Sequence, residues 1–281
     1  MAIVTVLLPL KHYHPRYLQE AVGSILAQTC PEWRLLVVIE PEDEGRFGPL
    51  LSGALEDPRV RLVLNRGRRL AGAFNTGMQE AETEFVAILL GDDLWAPRAV
   101  AALREAMLAH PTADFFHSAR KIIDEDGRSL SSEHPPLDQV SAADFARRSP
   151  IKHLLCWRRA MALSFGGMDD AFHHVGTDDY DLPWTMLEHG AVFQPIHECL
   201  YLHRDHREAF RLSTHIPRSV VLRDLRRLLR KHHVGRLLTE RVLWRARREY
   251  LRQCLYRNRL DRWLKLRLGA DPRSGWRQEY R

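Results

Sequence analysis

Short apolar runs constrain the fold of this chain more than any other feature of its sequence. Four of them are Ile3–Leu8, Leu35–Ile39, Arg59–Leu64 and Phe85–Leu90. Each has the length of a strand, is rich in β-branched or alternating apolar residues, and ends at a proline, a glycine or a polar residue. Such runs predict strands that are largely buried, as the strands of a parallel sheet are.

Helix-length segments lie between these runs. Pro15 fits the first turn of a helix whose apolar residues recur at helical spacing, and Ala71–Ala81 and Pro97–His110 predict two further helices. The order β-α-β-α-β-α-β-α therefore predicts an α/β fold with a mostly parallel central sheet and flanking helices. Ligands of such sheets bind at the carboxyl ends of the strands.

The pattern becomes shorter and more mixed after Asp114. It predicts short strands and helices at Phe115–Ser118, Lys121–Ile123, Ser141–Arg148, Leu154–Trp157, Tyr180–His189, Val192–Ile196 and Cys199–Leu202. Beyond Pro217, leucine and valine recur at helical spacing while arginines fill the other positions, which predicts a helical tail. We therefore expect one folded domain at residues 1–205 and a basic helical extension at residues 206–281.

Charge is divided unevenly along the chain. Residues 204–281 contain 23 Lys and Arg against 8 Asp and Glu, a net charge of +15, and the remaining residues carry 19 against 28, a net charge of −9. A basic segment of this kind predicts an anionic partner, such as a membrane surface or an acidic acceptor. The tail matches no recognised nucleic-acid module, so we expect no nucleic-acid partner. In the alternative reading, its apolar stripe packs on the body and its arginines are merely solvated.

Hydropathy and cysteine usage bear on the compartment. No apolar run reaches the roughly 18 residues that cross a bilayer, and the N-terminus shows no secretory signal. The four cysteines, Cys30, Cys156, Cys199 and Cys254, are far apart and form no C-x-x-C pair. This spacing predicts reduced thiols. We therefore expect a cytoplasmic protein, or one that is peripheral on the inner face of the membrane.

Asp92 and Asp93 carry the clearest chemical signal. They follow a predicted buried strand in a turn that Gly91 begins, at the edge of the sheet where ligands bind. Adjacent carboxylates supply the oxygen ligands that Mg²⁺ or Mn²⁺ prefers, and the ion can bridge them to a diphosphate. From the pair alone, a solvated turn whose Asp caps the helix near Pro97 is an equally good explanation.

Five groups of short motifs occur in order along residues 3–206. They are Ile3–Pro9 with Ser24–Thr29, Asn65–Gly67 with Phe74–Gly77, Ala87–Trp95, Phe165–Asp169, and Gly176–Leu182. In this order they resemble the sequence blocks of the inverting family 2 glycosyltransferases. The resemblance implies a GT-A fold, a nucleotide-diphosphate sugar as donor, Mn²⁺ or Mg²⁺ as cofactor, and transfer of the sugar to an acceptor hydroxyl with inversion at the anomeric carbon.

The resemblance also implies roles for single residues. Asp93 would be the main metal ligand, and Asp92 would be a second ligand or would hold the ribose or sugar of the donor. His206 fits a histidine that meets the metal or the diphosphate. Asp179 occupies the position of the catalytic base, which takes a proton from the attacking hydroxyl, with Asp178 as the fallback. A carboxylate in the first turn of a helix is the structural alternative for Asp179.

Donor binding is expected from five residues, which are Pro9, Glu40, Asn75, Asp92 and Arg204. Glu40 stands where the family has an acid that accepts a hydrogen bond from the nucleotide base, and Arg204 or, alternatively, Arg207 would hold the diphosphate. The sequence departs from the family pattern in that Leu90 replaces the first acid of the Asp-x-Asp motif, Phe74 replaces an arginine, and Pro183 adds a residue to the acceptor-side helix.

Two other functions stay open at the level of sequence. A nucleotidyltransferase that makes sugar nucleotides would share the sheet and the acidic site, but it should carry a Gly-rich loop near the N-terminus, where this chain has Lys11–His14 without glycine. An inactive binding protein with a lipid- or nucleic-acid-binding tail is the other. The acceptor that we expect is a glycan or a lipid-linked glycan of bacterial surface-glycan or polysaccharide biosynthesis. The sequence does not set the oligomeric state.

Overall fold

The structure is a computed structural model that describes residues 1–11, 13–152, 154–172, 177–205 and 218–256; for 177, 178, 218 and 249–256 it describes the backbone alone. The chain divides into two compact units, Met1–His215 and Ile216–Arg281. The predicted domain boundary lies between residues 205 and 206, whereas this division assigns residues 206–215 to the first unit. Those ten residues lie outside the described ranges.

The first half of the N-terminal unit alternates strands and helices, as the sequence predicts. The elements are β1 (Val4–Leu10), α1 (Pro15–Leu26), β2 (Trp33–Ile39), α2 (Glu44–Leu55), β3 (Val60–Leu64), α3 (Arg69–Glu80) and β4 (Phe85–Ile88). The four strands pair in parallel in the order β3-β2-β1-β4. Every residue of β1 is buried, because helices cover both faces of this part of the sheet.

The second half extends the same sheet with shorter and mixed pairings. The elements are β5 (Leu94–Trp95), α4 (Ala99–Ala109), β6 (Phe115–Ile123), α5 (Ala142–Phe145), β7 (Leu155–Arg158), α6 (Arg159–Ser164), α7 (Leu182–Glu188) and β8 (Phe193–Arg204). The sheet continues from β4 in the order β7-β6-β8-β5, with β6 and β8 parallel and the other pairs antiparallel. The predicted α/β fold with a mostly parallel central sheet is confirmed.

Several predicted elements of this half have different limits in the structure. The predicted strand pair at Phe115–Ser118 and Lys121–Ile123 is the single strand β6, because two register shifts against β8 around Ala119 absorb the irregular pattern. The predicted pair at Val192–Ile196 and Cys199–Leu202 is likewise the single strand β8. The helix predicted at Ser141–Arg148 is shorter, although Ser141 caps it through a reciprocal pair of hydrogen bonds with Asp144.

The helix predicted at Tyr180–His189 also begins differently from the prediction. A π-helical turn, Thr177–Asp181, precedes α7, and Pro183 lies in the first turn of α7. A proline is tolerated there because the first amides of a helix have no partner within the helix. Trp184 is 1% exposed and stacks against Tyr180 and Phe145, so its ring belongs to the core.

The described part of the C-terminal unit, residues 218–256, forms helices α8 (Arg218–Lys231) and α9 (Arg236–Tyr256). Their leucines and valines at helical spacing include five buried residues, Leu225, Leu228, Leu229, Val242 and Leu243. The predicted helical tail is therefore confirmed over residues 218–256. Within the described ranges, none of the helices is both long and apolar enough to cross a membrane.

Cys30, Cys156 and Cys199 are free thiols, as their spacing predicts. The fourth cysteine, Cys254, lies among the residues whose side chains are not described.

His117 on β6 is a buried titratable residue whose ring nitrogens both lack a hydrogen-bond partner among the described residues. Its ring lies 6.4 Å from that of Phe193, centroid to centroid. Burial lowers the pKa of His117 to about 4, and the nearby charge of His197 lowers it further in the same direction. The folded protein therefore holds this imidazole neutral at pH values where an exposed histidine takes up a proton.

This burial predicts a pH-dependent stability. The unfolded chain binds a proton at His117 below pH ~6.5, whereas the folded chain does not, so the free energy of unfolding should fall by about 2 kcal/mol between pH 7 and pH 5 through this residue alone. His117→Phe should remove that part of the loss. Urea unfolding of both proteins at the two pH values measures the difference, with exposed His110→Gln as the control. An identical pH dependence in wild type and His117→Phe would contradict the account.

Candidate functional site

The carboxyl ends of the parallel strands meet at one edge of the sheet. The register pairs Leu10 of β1 with Ile39 of β2, and Ile39 with Leu64 of β3, so these three strands end side by side. The turn after β4 reaches the same edge with Asp92 and Asp93. Glu40, Asp92 and Asp93, which follow these strands, therefore lie at the edge where ligands of such sheets bind.

Asp93 is fully buried and faces strand β8. Its Oδ1 accepts a hydrogen bond of 2.7 Å from the backbone N–H of Arg204, and its Oδ2 accepts one of 2.7 Å from the hydroxyl of Tyr201. Nδ1 of His203 lies 3.2 and 3.3 Å from the two carboxylate oxygens. We call these four residues, Asp93, Tyr201, His203 and Arg204, the anchor cluster, because they join the turn after β4 to the end of β8.

The electrostatics of the anchor cluster keep Asp93 ionised. Burial by itself would raise the pKa of this carboxyl, but the charge and hydrogen bond of His203, with the hydrogen bonds from Tyr201 and Arg204, lower it to about 2. Burial raises the pKa of the Tyr201 hydroxyl, and the charge of Asp93 raises it further, so the hydroxyl stays protonated as a donor. A buried negative charge is thus matched by donors on both oxygens.

Arg204 completes the anchor cluster from the other side. Its side chain is 0% exposed, and its Nε donates to the backbone carbonyl of Asp92 at 2.9 Å. Nη1 donates to the carbonyl of Glu125 at 2.8 Å, and Nη2 forms an ion pair with Glu20 of α1. The guanidinium also lies 4.7 Å from the ring centroid of Tyr17. The expectation that Arg204 holds the diphosphate does not fit this geometry, because the guanidinium is enclosed by protein groups.

Asp92 is the member of the acidic pair that reaches solvent. Its side chain is partly exposed, whereas Asp93 is 0% exposed. The preceding Gly91 packs so closely that an added Cβ would lie 2.9 Å from Leu10 and from the ring of Tyr13, which fixes the turn beneath the end of β1. The expectation that Asp93 is the main metal ligand does not fit, since both of its oxygens are turned inward. Asp92 is the carboxylate that a bound cation could reach.

The residues fit a metal site that is shared with the substrate. Within the described ranges, no group of three or more His, Cys, Asp and Glu side chains converges as a self-contained metal site. Mg²⁺ is commonly held by one or two carboxylates together with substrate phosphates, and Asp92 can supply such a carboxylate. His206, the other predicted ligand, lies outside the described residues.

Glu40 follows β2 and is held by a residue that follows β3. Asn65 donates from Nδ2 to Oε1 of Glu40 at 3.0 Å, and its backbone N–H donates to Ile39 at 2.7 Å. The Oδ1 of Asn65 accepts from the backbone N–H of Gly67 at 2.8 Å and from the hydroxyl of Thr76 at 3.2 Å. Asn65 belongs to one of the sequence motifs but is not among the predicted site residues, because its role as the support of Glu40 follows from contacts that only the fold creates.

Pro9 and Asn75 occupy structural positions near this edge. Pro9 is buried within β1 beside Val38 of β2. The amide of Asn75 binds the backbone of Met168 twice, accepting from its N–H and donating to its carbonyl, each at 2.8 Å. Gly167 has a φ of +76°, and a Cβ there would lie 2.3 Å from Oδ1 of Asn75, so only glycine fits. Asn75 therefore fastens the Phe165–Asp169 motif to α3.

Asp179 lies in the π-helical turn that precedes α7. Its side chain is 24% exposed, and Nζ of Lys152 lies 3.6 Å from its Oδ2. The hydroxyl of Ser149 donates to its backbone carbonyl, which holds the turn. Lys152 belongs to no recognised motif, so this pair could not be predicted from the sequence. Asp178 is adjacent in the chain, and only its backbone is described. The role of either carboxylate as the base stays a prediction.

The anchor cluster predicts that the two neighbouring carboxylates differ in their effect on stability. Asp93→Asn places an N–H donor against buried donors, so the free energy of unfolding should fall by about 3 kcal/mol or more. Asp92→Asn changes a partly exposed side chain and should lower it by about 1 kcal/mol or less. Urea unfolding followed by circular dichroism measures both variants. Equal losses, or a larger loss for Asp92→Asn, would contradict the assignment of Asp93 to the scaffold.

Comparison with known proteins places this geometry in a family. The family model "Glycosyl transferase family 2" matches residues 5–167, more than half of the chain. Among curated proteins, the O-antigen biosynthesis protein RfbC of Myxococcus xanthus is 24% identical over 208 residues, which make up 72% of this chain and 16% of RfbC. The chain therefore spans only a small part of that relative.

Solved structures agree with the fold. TarS of S. aureus in complex with UDP-GlcNAc superimposes with a TM-score of 0.62 at 16% identity, over 81% of this chain and 65% of that one. The mannosyltransferase PcManGT from Pyrobaculum calidifontis, in complex with GDP-Man and Mn²⁺, gives a TM-score of 0.55 at 20% identity, over 87% and 68%. The predicted GT-A fold is thereby confirmed.

Proposed function

Because the chain belongs to glycosyltransferase family 2, we propose that it is an inverting enzyme that moves a sugar from a nucleotide-diphosphate sugar to an acceptor hydroxyl. The observation that carries the proposal is the placement of Asp92, a partly exposed carboxylate that the buried anchor cluster holds at the ligand-binding edge of the sheet. Residues 1–205 would form the catalytic domain, and residues 206–281 the basic extension.

Glu40 would recognise the nucleotide base of the donor. Its carboxylate can accept a hydrogen bond from a base N–H, and the amide of Asn65 holds one of its oxygens at 3.0 Å. A carboxylate that is already oriented loses less side-chain freedom when the ligand binds. The known complexes of TarS with UDP-GlcNAc and of PcManGT with GDP-Man support a nucleotide-sugar donor for this chain as well.

Asp92 would hold the diphosphate end of the donor through Mn²⁺ or Mg²⁺. When bound, the cation supplies a positive charge that stabilises the departing nucleoside diphosphate. The complex of PcManGT with Mn²⁺ supports this cofactor. The chain's own contribution is to position Asp92. The side chain of Arg204 binds the carbonyl of Asp92, and the buried carboxylate of Asp93 anchors the neighbouring residue to β8. The carboxylate of Asp92 would therefore meet the donor without rearrangement of the turn.

Asp179 would act as the general base. It would take the proton of the acceptor hydroxyl while the oxygen forms a bond to the anomeric carbon and the bond from that carbon to the diphosphate breaks on the opposite face. Attack from the face opposite the leaving group inverts the configuration. Nζ of Lys152, 3.6 Å from Oδ2 of Asp179, would help to hold the carboxylate in position.

The acceptor would be a glycan or a lipid-linked glycan of the bacterial cell surface. This part of the proposal rests on relatives such as RfbC, which is named as an O-antigen biosynthesis protein. The nucleotidyltransferase alternative has no support from the family match. An assay of donor cleavage distinguishes the proposed enzyme from the alternative of an inactive binding protein.

Loss of the base should slow turnover strongly. Wild-type protein is first assayed for hydrolysis of a panel of UDP- and GDP-sugars with and without Mn²⁺, which identifies the donor. Asp179→Asn keeps the shape of the side chain but cannot take the proton, so kcat should fall by about 100-fold or more while donor affinity changes little. Asp178→Asn is the matched control. A larger loss for Asp178→Asn would move the role to that residue, and wild-type protein that cleaves no donor would favour the inactive alternative.

Glu40 should affect binding more than chemistry. Glu40→Ala removes the acceptor for the base N–H, so the Kd for the nucleoside diphosphate should rise by about tenfold, while kcat at saturating donor changes little. Isothermal titration calorimetry measures the Kd. Glu42→Ala, an exposed glutamate two residues away, is the control. An unchanged Kd in Glu40→Ala would show that this glutamate does not contact the donor.

A further inference from the structure

Helix α9 carries apolar residues on two different sides. Val242 and Leu243 are buried, as expected for the inner face of a packed helix. Leu237 and Trp244, by contrast, are 82% and 59% exposed. These two residues are seven positions apart, so they lie two turns apart on one outer face of the helix. Large apolar side chains that are exposed together commonly mark an interaction surface.

Exposed arginines surround the two apolar side chains. They are Arg241, Arg245 and Arg248, which follow Leu237 and Trp244 at spacings of four residues or fewer. The guanidinium of Arg248 lies 5.2 Å from the ring centroid of Trp244. We call Leu237, Arg241, Trp244, Arg245 and Arg248 the outer face of α9. Its only neighbouring acid on the same side, among the described residues, is Glu240, which pairs with Arg226 of α8 at 3.8 Å.

We propose that the outer face of α9 docks the protein on an anionic phospholipid surface. Tryptophan and leucine would enter the boundary between headgroups and acyl chains, while the long arginine side chains reach up to the phosphates. The proposal concerns the C-terminal unit alone, so it stands or falls separately from the proposed glycosyl transfer.

The outer face of α9 combines apolar and basic side chains. This combination favours an anionic lipid surface over a polyanion, such as a nucleic acid, that has no apolar layer. A duplex nucleic acid would satisfy the arginines, but it would leave Leu237 in water. An anionic bilayer accepts both parts of the outer face at once, since it offers phosphates above and hydrocarbon below. Tryptophan is the residue most enriched at that boundary, because its ring is apolar and its N–H is polar.

Vesicle binding of the full-length chain tests the proposal. Sedimentation with phosphatidylcholine vesicles that contain increasing phosphatidylglycerol should show binding that rises with the anionic fraction and falls with salt. The combined variant Arg241→Gln/Arg245→Gln/Arg248→Gln should lower the partition coefficient by about 100-fold, since each basic side chain contributes about a factor of five. Leu237→Ser/Trp244→Ser should lower it by about tenfold or more.

Matched substitutions in the N-terminal unit separate the outer face from general surface charge. Arg34→Gln/Arg61→Gln/Arg128→Gln removes three exposed arginines, and Leu108→Ser removes a leucine that is 70% exposed. These controls should bind vesicles nearly as wild type does. Circular dichroism verifies that every variant keeps its helix content.

Tryptophan fluorescence gives a second measurement that does not depend on loss of binding. Brominated phospholipids should quench the emission of wild-type protein more than that of Trp244→Phe, and the difference reports the depth of Trp244.

Three results would overturn the proposal. The first is vesicle binding that does not depend on the anionic fraction, and the second is a vesicle affinity that is unchanged in Leu237→Ser/Trp244→Ser. The third is displacement of the wild-type protein from vesicles by duplex DNA, while the affinity of Leu237→Ser/Trp244→Ser for that DNA is unchanged.

Discussion

The buried carboxylate of Asp93 is the constraint on which the rest of the site depends. A charge with no access to water must be matched by donors. Within the described part of the chain they come from the last residues of β8: the hydroxyl of Tyr201, the ring of His203 and the backbone N–H of Arg204. These contacts tie the turn after β4 to a strand that ends more than a hundred residues later in the chain. Arg204 then returns to the same turn through the carbonyl of Asp92 and reaches α1 through Glu20.

This arrangement divides two adjacent aspartates between two tasks. Asp93 is buried and fixes the backbone of the turn through its hydrogen bonds. Asp92 stays partly exposed, and the fixed backbone determines its position. A similar division recurs nearby, where Asn65 is buried and supports the partly exposed Glu40. In both cases the side chain proposed to meet substrate stands beside a better buried residue that fixes its position. Ser149 holds the turn that carries Asp179 through a hydrogen bond to the backbone carbonyl of Asp179.

The fold could be predicted from the sequence further than the site could. Apolar runs and helical spacing located β1 to β4 because their signals are local. They gave no limits for α2, whose Gly45, Gly48 and Pro49 weaken the helical pattern although Phe47 and Leu51 are buried. The residue types of Asp93 and Arg204 do not reveal that both side chains are buried, because burial depends on long-range packing that no local pattern records. Lys152 left no signal for the same reason.

The central claim, that Asp92 is the carboxylate offered to the metal while Asp93 belongs to the scaffold, is tested most directly by Mn²⁺ binding. Electron paramagnetic resonance can follow free Mn²⁺ during titration in the presence of a nucleoside diphosphate, for wild type and Asp92→Asn at a temperature where both are folded. The account predicts that Asp92→Asn weakens Mn²⁺ binding by about tenfold or more, because it removes the only member of the pair that a cation can reach. Wild-type Mn²⁺ affinity in Asp92→Asn would contradict it.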